Sequence, residues 1–414
     1  MGYILYVMRR IYLDYASLTP IDPCVMREMD RYSSAGYANP SSIYREGVAA
    51  QKTLEDARKR TGDFIHAHAD EIVFTSGGTE ANNLAIGGAL LAARRRGVQK
   101  PHLVISNIEH SSVMETAAAM EKNGAELTRL AVDRRGLIST DELKKAIKPN
   151  TVLVSIMTVN NEIGIVEPIR EIAKVVRQAR ALSAGGALPP ISPLRSEITG
   201  DSSSRLRARY PLLHTDAAQA ALYHDLNVER LGVDLLTLDG GKVYGPRGVG
   251  ALYVKRNTPI EPITHGGGQE KGMRSGTENI PSIMGFAKAL DVAAAEREKE
   301  TERIAELRAY FLDGLKGIRP DVTVNPAAGG EVSPHILNVS IPNIDNEFFV
   351  LQLDAAGVAV STKSSCLRDE DESYVLKSIG ADSKTSIRFS FGRWTKEGDV
   401  KTALKDIADI IGRR

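Results

Sequence analysis

Residues 235–255 read LLTLDGGKVYGPRGVGALYVK: an apolar run, a glycine turn carrying Lys242, a second turn at GPRG, and another apolar run. Upstream, from about residue 50, the same kind of run recurs as EIVFTSG (71–77), HLVISN (102–107) and TVLVSIM (151–157), with helical patterns between them. Short apolar runs alternating with amphipathic helices predict an α/β fold whose mixed, mostly parallel sheet is covered by helices. Ligands on such sheets gather at the carboxyl ends of the strands. Small or polar residues follow each run there, SGGTEANN (76–83), IEHSS (108–112), TVNNEIG (158–164) and GGKVYG (240–245), so the chemistry is expected at that rim.

After GGGQEKGMRSGTENI (266–280) the pattern changes to a long amphipathic helix over roughly Pro281 to Gly317, a polar turn and the strand-like HILNVSI (335–341). The remainder up to Arg414 reads as a smaller α+β domain. Residues 183–209, rich in Gly, Pro, Ala and Ser with no apolar period, read as a surface loop or disordered insertion. A chain of 414 residues suits two domains, each with its own core.

With 53 basic and 52 acidic residues the formal charge is +1, which supplies no field for attracting nucleic acid or an anionic membrane. The opening MGYILYVMRR has its arginines after a short apolar stretch, the reverse of a secretory signal, and is too short to span a bilayer. A soluble, cytoplasmic protein is expected. The two cysteines, Cys24 and Cys366, lack the C-x-x-C spacing of a structural zinc site, so no metal is expected. Cys24 falls just inside a helix start with an apolar face and reads as structural.

Taken singly, the candidate residues each have two readings. FTSGGTEANN places Gly78 and Thr79 between a strand and a helix, as a phosphate cradle or as a plain turn. LLHTDAAQA ends a strand with Asp216 and has Gln219 three residues on; the acid suits either a protonated ring nitrogen or a helix N-cap. Lys242 in its glycine turn is either a desolvated amine that forms a Schiff base or a solvated surface charge.

The order of these elements is more specific. The cradle at Gly78 and Thr79, His110 in SNIEHSSV, Asn161 in TVNNEIG, the TDAAQ acid and the GGKVYGP lysine resemble the pyridoxal-phosphate enzymes of fold type I, and more narrowly the cysteine desulfurases. YLDYASLTPIDP, YANPSS, GGGQEKGMRSGTEN, VAVSTKSSC and SIRFSFGRWT extend the likeness over nearly the whole chain apart from the first ten residues and the 183–209 insertion. The resemblance implies a large cofactor-binding domain at 17–265 and a small domain from 1–16 and 266–414 that carries the catalytic cysteine loop. It implies that Lys242 holds pyridoxal 5'-phosphate covalently, that Asp216 meets the ring nitrogen and Gln219 the ring hydroxyl, and that His110 stacks on the ring and moves protons. Gly78 and Thr79 would take the phosphate, Thr277 would reach the phosphate of a neighbouring subunit in a homodimer, and Asn161 and Arg388 would bind the substrate carboxylate.

Cys366, in the polar stretch STKSSCLRDEDES with no apolar period, reads as a nucleophile on a mobile exposed loop. Lys363 and Arg368 act to lower its pKa and the acidic run Asp369 to Glu372 to raise it. The implied reaction converts L-cysteine to L-alanine and leaves a persulfide on Cys366. The sulfur then passes to an acceptor protein, an iron-sulfur scaffold or a tRNA-thiolating enzyme. Two departures stand out: Asp239 and Gly241 occupy positions where family members place a serine and a histidine, and an acid there repels a phosphate unless protonated or turned away. Two other readings compete, a selenocysteine lyase or other lyase using the same cofactor, and a cofactor-poor scaffold in sulfur-transfer assemblies. Cys366 speaks against simple elimination, which needs no second nucleophile.

Overall fold

The computed structural model describes residues 10–35, 37–185, 210–362 and 372–412. In chain order the strands are β1 (Ile11–Tyr12), β2 (Ile72–Thr75), β3 (His102–Ser106), β4 (Glu126–Leu130), β5 (Thr151–Ser155) and β6 (Leu212–Asp216), followed by β7 (Leu235–Asp239), β8 (Gly250–Val254), β9 (Thr323–Asn325), β10 (Ile336–Ser340), β11 (Val358–Ala359) and β12 (Ser386–Ser390). Seven of them form one sheet in the order β2-β8-β7-β6-β5-β3-β4. Every pair from β7 across to β4 is parallel, and β8 lies antiparallel between β2 and β7. The mixed, mostly parallel sheet expected from the alternation is therefore present.

The central strands read as unbroken apolar runs because both faces are covered. Leu103 and Ile105 of β3 pack on one side with Leu84 and Ala85 of the helix Gly78–Arg95, whereas Val104 packs on the other with Ile172 and Val176 of the helix Ile169–Gly185. The outer edges are treated differently. β4 is half exposed and carries Glu126 and Arg129, charges that discourage further pairing. At β2 the free backbone groups are satisfied by a buried ion pair: Arg58 donates to the Ile72 carbonyl at 2.8 Å, Glu270 accepts from the Phe74 amide at 2.8 Å, and the two side chains bond each other. Removing either partner would strand a buried charge, at a cost of about 3–5 kcal/mol.

A second core gathers around the antiparallel sheet β12-β10-β9. Its cover includes the helices Asn346–Ala355 and Glu397–Gly412. The long helix, expected over 281–317, runs Ile280–Ile318 and serves both cores. Its Phe286 and Leu290 join the first, and its Ile304, Phe311 and Leu315 the second. The N-terminal segment pairs in parallel with β11, and Asp14 bridges to Ser390 beside β12, which carries Ala16 and Ser17 to the rim of the large sheet.

One boundary differs from expectation. The sequence pattern places the start of the irregular segment at Ser183, but the helix Ile169–Gly185 continues to Gly185 because RALSA holds good helix formers with no breaker before the glycines. Residues 186–209 lie outside the described residues. Cys24 sits in the helix Pro23–Ala35, where its backbone amide is capped by Asp22 and its side chain packs on the first core, in keeping with a structural role. Burial pushes its thiol pKa up, with help from Asp22. Among the described residues no helix is long and apolar enough to cross a membrane.

Candidate active site

The order of the sheet reverses at β3: its crossover leads outward to β4, and the chain then returns to β5 on the opposite side. A crevice opens at the carboxyl ends of strands wherever connections part in this way. Here it is a crevice open to solvent, with about 600 Å³ of empty space when its open mouth is included, lined by residues that follow β2, β3, β5, β6 and β7. Gly78, Thr79, His110, Asn161, Asp216, Gln219, Lys242 and Arg388 all line it.

At the end of β2 the chain turns through Gly77, whose φ of 147° favours glycine, into the helix Gly78–Arg95. Close packing adds a second demand, because a Cβ on Gly250 of β8 would fall 2.8 Å from the Gly77 Cα. The Gly78 amide donates to Asp239 Oδ2 at 2.8 Å, and Thr79 is exposed at the rim. After β3, His110 caps the helix Ser111–Lys122, accepting at Nδ1 from the Ser112 amide at 3.2 Å. That bond assigns the ring proton to Nε2 when the imidazole is neutral.

Asp216 ends β6 with both oxygens engaged, Oδ2 accepting from Asn82 Nδ2 at 2.7 Å and Oδ1 from the Ala218 amide at 3.0 Å. The chain makes a turn there and no helix begins, so the N-cap reading does not hold. Lys242 follows β7 in a short 3-10 turn, Gly240–Lys242, and its Nζ donates to the carbonyls of Ala16 at 3.0 Å and Ser17 at 2.5 Å. It is partly buried rather than a surface charge. Gln219 donates to the Ala16 carbonyl at 2.8 Å and accepts from His335 at 3.1 Å. His335 is buried, and desolvation holds its pKa well below the ordinary value, so it stays a neutral donor at Nε2 and fixes which way the Gln219 amide points.

Arg388 comes from β12, on the other sheet, and is only 1% exposed. Its guanidinium bonds the Asn161 carbonyl at 2.8 Å, Asp14 at 2.8 Å and Ser17 Oγ at 2.6 Å. Of the expected residues that are described, Thr277 is not brought in. Thr277 is exposed and does not line the cavity of its own chain, and Cys366 lies outside the described residues. Behind His110, the buried Glu109 accepts from Ser106 and the Met157 amide, and burial pushes its pKa up to about 8.

The family model described as "Aminotransferase class-V" matches residues 11–184 and 202–402. The cysteine desulfurase IscS of Dictyoglomus turgidum is 39% identical over 408 residues, covering 97% of this chain and 95% of that protein. The chain belongs to the cysteine desulfurases of the class-V aminotransferase family. Among solved structures, a "NIFS-LIKE PROTEIN" superposes with a TM-score of 0.84 at 29% identity, covering 98% of this chain and all of that one. The structure titled "SspA in complex with cysteine" superposes with a TM-score of 0.73 at 33% identity, covering 92% of this chain and 98% of that one. These solved structures share the α/β fold, with a second, smaller sheet beside the large one in this chain.

Sequence reasoning missed the residues that hold the candidates in place. Asn82, buried one turn into the helix after Gly78, bridges Asp216 and Ser112. Its spacing from Gly78, one helical repeat, was the available signal, since such residues share a face. Asp14 and Ser17 on Arg388, and His335 on Gln219, gave no local signal.

Proposed function

We propose that this chain is a cysteine desulfurase that uses pyridoxal 5'-phosphate on Lys242, converts L-cysteine to L-alanine, and takes the sulfur as a persulfide on Cys366. The observation that carries the reading is the meeting of Lys242, Asp216 and Arg388, an amine, an acid and a guanidinium from three distant segments, in one cavity. The donor set fits the cofactor's ring end: an amine for its aldehyde, a buried acid held by an amide for its ring nitrogen, Gln219 for its hydroxyl and His110 for its face. The phosphate end has the Gly78 amide and Thr79, with the Asp239 carboxylate beside them. When bound, the cofactor supplies an electron sink for charge at the α-carbon of an amino acid.

The protein's own groups do the rest. Lys242, once its amine is free, takes the α-proton and returns it. Two carbonyls already orient its Nζ. Arg388 receives the substrate carboxylate in its planar fork, with Asn161 beside it. Cys366 attacks the substrate sulfur: the S–S bond forms as the Cβ–S bond breaks, the bonding electrons stay on carbon with a proton, and alanine leaves.

The family pattern further supports a homodimer in which Thr277 serves the partner's cofactor, a cytoplasmic setting, and a sulfur-acceptor protein of the iron-sulfur scaffold or tRNA-thiolating kind. It also supports the division into a large domain at 17–265 and a small domain from 1–16 and 266–414, with the long helix shared between their cores. The test is to purify the protein with pyridoxal phosphate, record its visible spectrum and assay alanine formation from L-cysteine with a reductant. A cofactor band lost in Lys242→Ala, and alanine formation lost in both Lys242→Ala and Cys366→Ala, are expected. Alanine formation that survives Cys366→Ala would overturn the persulfide route.

A further inference from the structure

Asp239 ends β7, three residues before Lys242, and its carboxylate lies across the start of the helix Gly78–Arg95. Oδ2 accepts from the Gly78 amide at 2.8 Å and Oδ1 from the Gly241 amide at 2.7 Å. The fit is close on both glycines of the turn: a Cβ on Gly78 would stand 3.2 Å from Oδ2, and one on Gly77 3.4 Å from it. Asp239 itself lines the cavity with Gly78, Thr79 and Lys242. The first amides of a helix have no partner within it and receive anions. One of them is thus already held by an anion that belongs to the chain.

We infer that Asp239 is a built-in occupant of the anion seat, so that the Gly78 amide serves either this carboxylate or a ligand phosphate, never both. The inference rests on reading the cavity as a pyridoxal phosphate site and adds to it a residue that sets how much the phosphate counts. A tethered carboxylate competes at an effective concentration that a free ligand does not reach. Two anions on one amide also repel strongly in a partly desolvated cavity. The phosphate therefore adds little to cofactor affinity in this chain, and pyridoxal, which lacks it, binds about as well as pyridoxal 5'-phosphate. Removing the charge at Asp239 releases the seat.

The experiment is a titration of the full-length chain, stripped of cofactor, with pyridoxal and separately with pyridoxal 5'-phosphate. Binding is followed by the Lys242-dependent absorption band and by calorimetry, in wild type, Asp239→Asn and Asp239→Ser. The ratio of the two affinities in wild type is expected to lie within about tenfold of one. In both variants it should rise by roughly 10- to 100-fold, nearly all of it through the phosphate ester. The wild-type ratio is a test in its own right if a variant folds poorly. A wild type that already favours the phosphate ester by more than about 100-fold, or a ratio that does not move in either folded variant, would overturn the inference. If neither compound gave a Lys242-dependent band in any of the three proteins, the pyridoxal reading of the cavity would fall, and this inference with it.

Discussion

Asp216 and Asp239 end adjacent parallel strands, β6 and β7, and face one cavity, yet they are put to opposite uses. Asp216 is held by the side-chain amide of Asn82 and by an amide two residues along its own turn. Asp239 reaches a different strand-to-helix turn and settles on an amide that the helix leaves free. The first acid is positioned and the second fills a seat. An acid at a strand end therefore has no role until its donors are known.

The largest expected effect comes from the positioned acid. Asp216→Ala should lower alanine formation on the order of 10²- to 10³-fold while the protein stays folded, as measured by initial rates and circular dichroism. The corresponding change at Asp239 should raise affinity for the phosphate ester, and a loss in both cases would erase the contrast. Next in size is Asn82→Ala, which leaves the buried Asp216 with one donor fewer. Turnover should fall roughly tenfold and unfolding stability by about 1–3 kcal/mol, read from urea melts. Unchanged kinetics would mean that Asp216 needs no such hold.

The smallest effect concerns two buried acids whose pKa values burial raises. Glu109 and Glu167 are buried, and desolvation raises both from an ordinary 4.5 to about 8. Between those values the folded chain keeps protons that the unfolded chain releases, so these residues make stability fall as pH rises from 4.5 towards 8. Glu167→Gln removes one of them. Its thermal midpoint should exceed that of wild type at about pH 8.5 by a few degrees and converge with it near pH 5. A gap of equal size at both pH values would assign the effect to packing instead.

What the sequence revealed followed from local pattern. Buried parallel strands read as apolar runs, and the residues after them, Gly78, His110, Asn161, Asp216 and Lys242, had to fall on one rim once the sheet formed. The long helix was legible as a helix but not as an element shared by two cores, because its apolar face carries no mark of where the neighbour changes. Contacts between remote segments were not legible: Arg388 on Asp14 spans 374 positions and Asp239 on Gly78 spans 161. Sequence could flag Asp239 as an acid where a phosphate was expected, but only the fold shows which amide it takes. The reading of Cys366 as the nucleophile rests on the sequence alone, since the residue lies outside the described residues.

The most direct test of the desulfurase reading is a single turnover without reductant, with one equivalent of L-cysteine added to the cofactor-loaded protein. Intact-mass and peptide analysis should find one added sulfur atom on Cys366, with alanine released in equal amount. Pyruvate and free sulfide, or alanine with no sulfur on Cys366, would contradict it.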